Sequence, residues 1–451
     1  MALSSAQFVR VSPRDHRYLE TSDGTPYVPI GLNMISPPGA GDEAAALRGM
    51  EAWLDSLAAN GGNYIRVWLS NPFWDVEHER SGVYDAEKAK RIDRLLEMCR
   101  KRGIRVKMTL EHLRSIGGGP QRWADKPLHN KENGGPAASI ADFFDGEASR
   151  EQFRRKIRWY SERYGDQPIV YGWELWNEIN AVRDGDYMAW TQAMLPELQR
   201  AFPKNMVMQS LGSFDTDGVR ERYRQHSRMQ GNVVAQVHRY LDLGAALEVC
   251  HGPVDVLAAD AVRELLSYDP GRPVILAESG AVEPKHSGPF KLYAKDRDGT
   301  LLHDILFAPF FAGAAGPGQI WHWDSYVAPN NLWWQFGRFA ETVRGLNPPT
   351  EGFEPAMVEH PRLRVYVLKG RRTVLAWCRD TRNTWESELQ RGERPEVLRG
   401  LEVDFATALA GRKTGKARVY DPWTGRWQAA KLKAGKVKLP AFSRSLVIRV
   451  E

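Results

Sequence analysis

Eight short apolar runs, each separated from the next by a longer segment, restrict the fold of this chain more than any other feature. They are YVPIGLN (27–33), NYIRVWL (63–69), IRVKMTL (104–110), IVYGWEL (169–175), NMVMQS (205–210), NVVAQVH (232–238), PVILAES (273–279) and QIWHWD (319–324). Their length and β-branched content read as strands. The intervening segments 42–60, 86–102 and 147–164 repeat apolar residues at i, i+3 and i+4, the pattern of a helix with one buried face. Eight such strand–helix units over about 320 residues match a closed (β/α)8 TIM barrel. An open doubly wound sheet shares the alternation, but the Gly-rich phosphate loop common there is missing: no GxGxxG follows an early strand, and no Walker lysine occurs. A short hairpin turning at Asp23-Gly24 precedes the first run.

The pattern changes near residue 350. NPPTEGFEP reads as a linker, and beyond it short alternating runs (LRVYVLKG, RTVLAWCRD, KARVYDPWTGRW, GKVKLP, SRSLVIRV) suggest a β-sandwich. The expected division is a barrel with its N-terminal hairpin over residues 1–348 and a C-terminal β-sandwich domain over 349–451. The net charge of +6 is concentrated in the second part, where 21 Lys/Arg face 12 Asp/Glu, and the first 350 residues are slightly acidic. Charge spread along alternating strands reads as a solvated face rather than a groove for nucleic acid. No apolar run approaches the ~18 residues of a membrane span. The N-terminus lacks the 7–15-residue apolar core of a secretory leader, which fits a cytoplasmic protein or a secreted one without its leader. Three distant cysteines, Cys99, Cys250 and Cys378, form neither a disulfide framework nor a zinc motif.

In a barrel of this type the reactive groups stand at the C-terminal strand ends. Those ends carry Arg66 and Trp68, Glu111 and His112, Trp176-Asn177-Glu178, His238-Arg239-Tyr240, Glu278, and Trp321-His322-Trp323-Asp324. Carboxylates and aromatics with few cations suit a neutral, hydroxyl-rich ligand. Glu178 and Glu278, on the fourth and seventh strands, face each other across the mouth. Glycoside hydrolysis needs such a pair, one carboxylic acid and one carboxylate, and a separation of about 5 Å implies retention. Arg66 beside Glu278 would keep it ionised, and apolar walls would hold Glu178 protonated.

These residues carry a resemblance. YGWELWNEIN is similar to the fourth-strand signature of glycoside hydrolase family five and its clan A relatives, and VILAESG resembles the seventh-strand signature. The resemblance implies Glu178 as acid/base, Glu278 as nucleophile, and Asn177 as a ligand of the sugar hydroxyl beside the anomeric carbon. VHRY carries over His238 and Tyr240, YIRVW carries over Arg66, and WHWD supplies a tryptophan platform, Trp323 being preferred to Trp321. TLEHLR is a looser match that brings in His112, and Ile179 stands where the family often has Pro. YDPWTGRW resembles small β-domains appended to other clan A barrels. The function implied is double-displacement cleavage of a β-linked glycan of gluco or manno configuration, with an oligo- or polysaccharide as partner and no cofactor.

Other residues have competing readings. Glu174 reads as a barrel-interior charge paired with Arg66 or Lys107. Trp68, Trp74 and Trp123 could line sugar subsites, Trp123 from a Gly-rich loop at 117–136. His226, His251 and His286 read as ordinary surface or loop histidines. No HExxH or early His-x-His points to a catalytic metal, no GxSxG surrounds Ser36 or Ser279, and Cys250 reads as a free structural thiol. Trp385 and Trp423 read as exposed on the C-terminal domain, where they would serve glycan binding, capping of the barrel or dimerisation. The competing functions are a non-catalytic carbohydrate-binding barrel, an exo-acting β-glycosidase on a small glycoside, and a scaffold or nucleic-acid binder using the basic C-terminal domain.

Overall fold

Apolar strands without alternation must be covered on both faces, and the chain achieves this by rolling them into a ring. The computed structural model describes residues 7–39, 42–112, 128–182, 184–410 and 415–451. Five strands pair consecutively in one parallel sheet: β1 (Gly31–Asn33), β2 (Tyr64–Trp68), β3 (Arg105–Glu111), β4 (Val170–Trp176) and β5 (Met206–Met208). A second parallel pair is β6 (Ala235–Leu241) with β7 (Val274–Ala281). The Val233 amide donates to the Val207 carbonyl at 3.2 Å and joins the two sets. On the far side, Gln319 donates to Leu276 (3.0 Å), Trp321 to Ser279 (2.8 Å), and Asn33 of β1 to Ile320 (3.0 Å). Residues 319–321 thereby hold the eighth position, and hydrogen bonding runs around a (β/α)8 barrel. The expected eighth strand, 319–324, is cut short because the backbone enters a π-helical turn at Trp323–Val327.

The barrel is filled in layers. Tyr64, Tyr171, Met206, Met208, Ile275 and Ala277 form an apolar floor, sealed from below by Val9, Leu19 and Tyr27 of a three-stranded N-terminal sheet. Above the floor, Asn33, Arg66, Lys107, Thr109, Glu174 and Gln236 form a polar layer with no appreciable solvent contact. The surrounding helices begin and end on local signals. Asp42 and Asp85 accept from first-turn amides of Glu43–Ala59 and Ala86–Arg102, and Gly103 closes the latter in the left-handed conformation.

The C-terminal segment builds a six-stranded antiparallel sheet in the spatial order Glu354–Val358, Leu363–Lys369, Val374–Asp380, Ser445–Val450, Ala417–Asp421, Arg426–Ala430. One face (Val365, Val367, Ala376, Ile448) packs on a small sheet through Val403, Phe405 and Val437, giving the sandwich. The other face (Tyr366, Leu368, Trp377, Val447) joins the main core with helix Thr300–Phe311. Two expectations change here. NPPTEGFEP is no loose linker: it starts with a helical turn, Pro348–Glu351, and runs into the edge strand, and buried Glu351 accepts from the amides of Arg372 and Thr373. Trp385 is buried rather than exposed, because its indole packs edge-on against Phe290 and donates to the Gly252 carbonyl. Among the described residues no helix is long and apolar enough to cross a membrane.

Arg379 and Asp304 form a buried ion pair at 2.7 Å between the sheet and helix Thr300–Phe311. Asp304→Ala leaves an uncompensated buried guanidinium, and we expect it to cost about 3–5 kcal/mol in denaturant unfolding at neutral pH.

Candidate active site

Three backbone devices bring the mouth residues together. At the end of β4, the Gln209 side chain bonds both the N–H and the C=O of Trp176 (3.0 and 2.6 Å) and fixes the backbone there. The Trp176 ring packs on Phe143, Phe144 and Trp190, and does not share a face with Glu174 and Glu178 as plain alternation would have it. Glu178 itself is left-handed (φ 51°, ψ 50°), a conformation disfavoured for a residue with a side chain, and its amide is held by Ser210 Oγ at 3.2 Å. On β7 the register with β6 slips between Leu276 and Glu278, leaving Ala277 as an extra residue. A bulge of this kind re-aims the next side chain.

The two carboxyls meet at His238. Its Nδ1 lies 2.8 Å from Glu178 Oε1 and 3.2 Å from Glu278 Oε2, and the contacting atoms of all three residues lie within 4.8 Å of one another. Glu278 also accepts from Arg66 Nη1 (2.8 Å) and from the Tyr240 hydroxyl (2.7 Å). Arg66 is wholly buried. It donates through Nη2 to Asn177 Oδ1 (2.5 Å), through Nη1 to Asn33 Oδ1 (3.3 Å), and through Nε and Nη2 to Glu174 Oε2 (3.0 and 2.6 Å). Glu174 pairs with Lys107 as well, at 3.1 Å, so both pairings open from sequence are made at once.

The environments differ in a way that separates the two acids. Burial raises the Glu178 carboxyl to about 7; Asp215 and Glu174 add to this, and His286 and Arg66 oppose it. Burial and the neighbouring Glu178 also push Glu278 up, while His238, Arg66 and the Tyr240 hydrogen bond pull it back. With one proton between two adjacent carboxyls, it rests on the one that has no guanidinium, Glu178. Burial lowers His238 to about 4, so the imidazole is neutral at physiological pH. Glu178, His238 and Glu278 are close enough to grip a cation, but the Arg66 charge already occupies Glu278.

The remaining expected residues line the walls. His112 stacks on Trp68 (4.9 Å between centroids, 17°) and bonds Ser70 Oγ, and Trp68 meets Trp321 at 4.9 Å. Trp321 is partly exposed, whereas Trp323 is buried with its indole N–H donated to the Ser36 carbonyl. Burial thus favours the tryptophan that the sequence reading ranked second. Trp74 is fully buried and bonds the Ile35 carbonyl, which removes it from any subsite. Trp123 lies outside the described residues. Glu111 points away from the mouth into a separate buried cluster with Glu77 and His129, where the Lys156 ammonium sits 3.0 Å from both glutamates. His286, read from sequence as an ordinary loop histidine, stands at the rim instead. It packs edge-on to Tyr240 (4.8 Å) and is held by buried Asp242 at 3.1 Å, on a loop where Lys285 and His286 both have positive φ. The distant Asp242 contact is what places it, and no local signal announces that contact.

Comparison with known proteins agrees with this geometry. Residues 25–300, more than half of the chain, match the family model described as cellulase (glycosyl hydrolase family 5). The chain belongs to glycoside hydrolase family 5. It is therefore a retaining glycoside hydrolase on a clan A barrel, and its partner is a glycan. Mannan endo-1,4-beta-mannosidase 4 of Oryza sativa subsp. japonica is 27% identical over 70% of this chain and 71% of its own length. Mannan endo-1,4-beta-mannosidase 3 of the same plant is 23% identical over 68% of each chain. A solved structure described as a glycoside hydrolase superposes with a TM-score of 0.63 over 98% of this chain and 97% of its own, at 14% identity. The endo-beta-1,4-mannanase from Thermotoga petrophila gives 0.52 over 94% and 98%, also at 14% identity. At that identity the two structures speak for the family 5 fold alone.

The raised Glu178 carboxyl has a consequence for stability. An exposed glutamate ionises near pH 4.3, so between there and about 7 the unfolded chain releases a proton that the folded chain keeps, and stability falls as pH rises. Glu178→Gln removes this penalty. In urea unfolding the variant is expected to match the wild type at pH 4 and to exceed it by roughly 3 kcal/mol at pH 8.

Proposed function

We propose that the chain hydrolyses β-1,4-linked mannosides by double displacement, with Glu278 as nucleophile and Glu178 as acid/base. The observation that carries the assignment of roles is the short separation of two carboxyls in unlike surroundings. Atoms within 4.8 Å suit direct attack and leave no room for the intervening water of an inverting enzyme. Arg66 and Tyr240 on Glu278 favour its anion, and the absence of a guanidinium on Glu178 favours its acid. The manno configuration and the 1,4 linkage rest on the names of the plant relatives.

In the first step a Glu278 oxygen attacks the anomeric carbon while Glu178 gives its proton to the departing glycosidic oxygen. A glycosyl ester forms and the leaving sugar departs neutral. In the second step Glu178, now a carboxylate, takes a proton from water, the resulting hydroxide equivalent displaces Glu278, and both acids return to their starting states. Neutral His238 spans the two carboxyls and can support either charge state. Asn177 is oriented by Arg66: its Oδ1 is engaged, and its buried Nδ2 has no partner among the described residues. That leaves an amide donor for the hydroxyl next to the anomeric carbon. Trp321, partly exposed and backed by Trp68, offers an aromatic surface to the sugar, and His286 stands at the rim beside Tyr240 on the loop after β7.

The test is product release from mannan, glucan, xylan and aryl β-mannosides. Wild type is expected to act on the mannosides with retention, read as the β-anomer first formed in NMR. Glu278→Ala should lose about 10³-fold or more on every substrate. Glu178→Ala should lose mannan cleavage but still release an activated phenol, whose departure needs no acid. Full activity of Glu278→Ala would overturn the mechanism, and cleavage confined to glucan or xylan would overturn the substrate. His286→Ala is expected to raise KM for mannooligosaccharides severalfold, measured by initial rates.

A further inference from the structure

We propose that Lys107 and Glu174, one layer below the reacting groups, are positioning residues that set the ionisation of Glu278 through Arg66. This rests on the reading of Glu278 as nucleophile. The geometry starts with Glu174, whose carboxylate is saturated. Oε2 accepts from Arg66 twice and from Thr109 Oγ1 (2.6 Å); Oε1 faces Lys107 Nζ (3.1 Å) and accepts from Gln236 Nε2 (3.1 Å). Lys107 Nζ also bonds Gln236 Oε1, and Gln236 is tied to the Gln209 carbonyl at 3.0 Å. Every one of these side chains is buried.

The charges of this layer decide what Arg66 can do. Arg66 holds Glu174 by two donors and Glu278 by one. Taken alone, the Arg66–Glu174 pair is neutral and has no net charge to offer a nucleophile. Lys107 restores one positive charge beneath the site, and that charge matches the Glu278 anion. The groups facing Glu278 directly are Arg66 from β2, His238 and Tyr240 from β6, and Glu178 from the end of β4. Tyr240 is un-ionised and Glu178 holds the proton, so neither supplies a cation; His238 also draws Glu278 down, but its imidazole, lowered to about 4, is neutral above that range. Burial lowers the Lys107 ammonium to about 7, Arg66 lowers it too, and Glu174 and Glu278 raise it; it thus stays charged across the acidic range where Glu278 must ionise.

The experiment compares wild type, Lys107→Met and the double variant Lys107→Met/Glu174→Gln. One readout is the acidic limb of kcat/KM against pH on an aryl β-mannoside. The other is the titration of the Glu278 side-chain carboxyl by 13C NMR, assigned with Glu278→Gln. Lys107→Met is expected to move both upward by about one pH unit. The double variant, which removes one charge of each sign, should return both toward the wild-type position even though it carries more substitutions. A merely structural role predicts the opposite order, with the double variant at least as impaired as the single. Where Lys107→Met does not fold, Lys107→Gln replaces it and keeps a polar contact with Glu174. An unmoved carboxyl in the single variant, or a double variant shifted as far as the single, overturns the inference. A carboxyl that moves while the kinetic limb stays in place upholds the electrostatic link and overturns the role of Glu278 in the rate.

Discussion

A guanidinium with no solvent contact has lost its hydration and must recover it from protein acceptors, and the upper half of this barrel is arranged around doing so for Arg66. Its donors reach Glu174, Glu278, Asn177, Asn33 and Thr109, which stand on or directly after β1, β3, β4 and β7, while Arg66 itself sits on β2. Five of the eight barrel positions are thus tied to one side chain. Removing any acceptor would leave a desolvated charge short of a partner, so the geometry around the two carboxyls is stiff without help from the loops above. Lysine could not substitute, because a point charge lacks the planar fork that divides itself between two carboxylates.

The same layer shows how two identical side chains come to play opposite parts. Glu178 and Glu278 lie in one desolvated space and share His238, yet only one of them meets the cation. The asymmetry comes from backbone irregularity. A bulge at Ala277 sets Glu278 over Arg66, and a left-handed residue at the end of β4 holds Glu178 away from it. Each irregularity opposes local preference, and each is sustained by side chains from elsewhere. Asn33 Nδ2 caps the Ala277 carbonyl, and Ser210 Oγ binds the Glu178 amide. Strain at Glu178 is the local cost of a site that keeps its acid and its base apart by only a few ångströms.

Much of this was legible in the chain before folding, because a barrel converts strand order into position. Eight apolar runs located the strands, and the rule that chemistry sits at their C-terminal ends picked out Arg66, Asn177, Glu178, His238, Tyr240 and Glu278, which the structure does bring together. Glu174 stood out as a charge in an otherwise apolar run and did require buried partners. What stayed hidden depended on long-range contacts. The direction of Trp176 went with its packing on Phe143, Phe144 and Trp190, and the relative exposure of Trp321 and Trp323 with the π-helical turn. The place of His286 followed from Asp242 on another strand end, and the burial of Trp385 from Phe290. Periodicity predicts which residues share a face only while the strand stays regular, and here it fails at the very positions that carry the site.

Helix Thr300–Phe311 is buried along its whole length, with barrel strands on one side and the six-stranded sheet on the other. A helix on the outside of a barrel usually keeps a polar face for water. This one has none to offer, since its outward residues His303, Asp304 and Phe307 are committed to Ser445, Arg379 and Trp377. The consequence is that in this chain the C-terminal sheet acts as one wall of the barrel's own packing: without it His303, Asp304 and Phe307 would lose the partners that bury them.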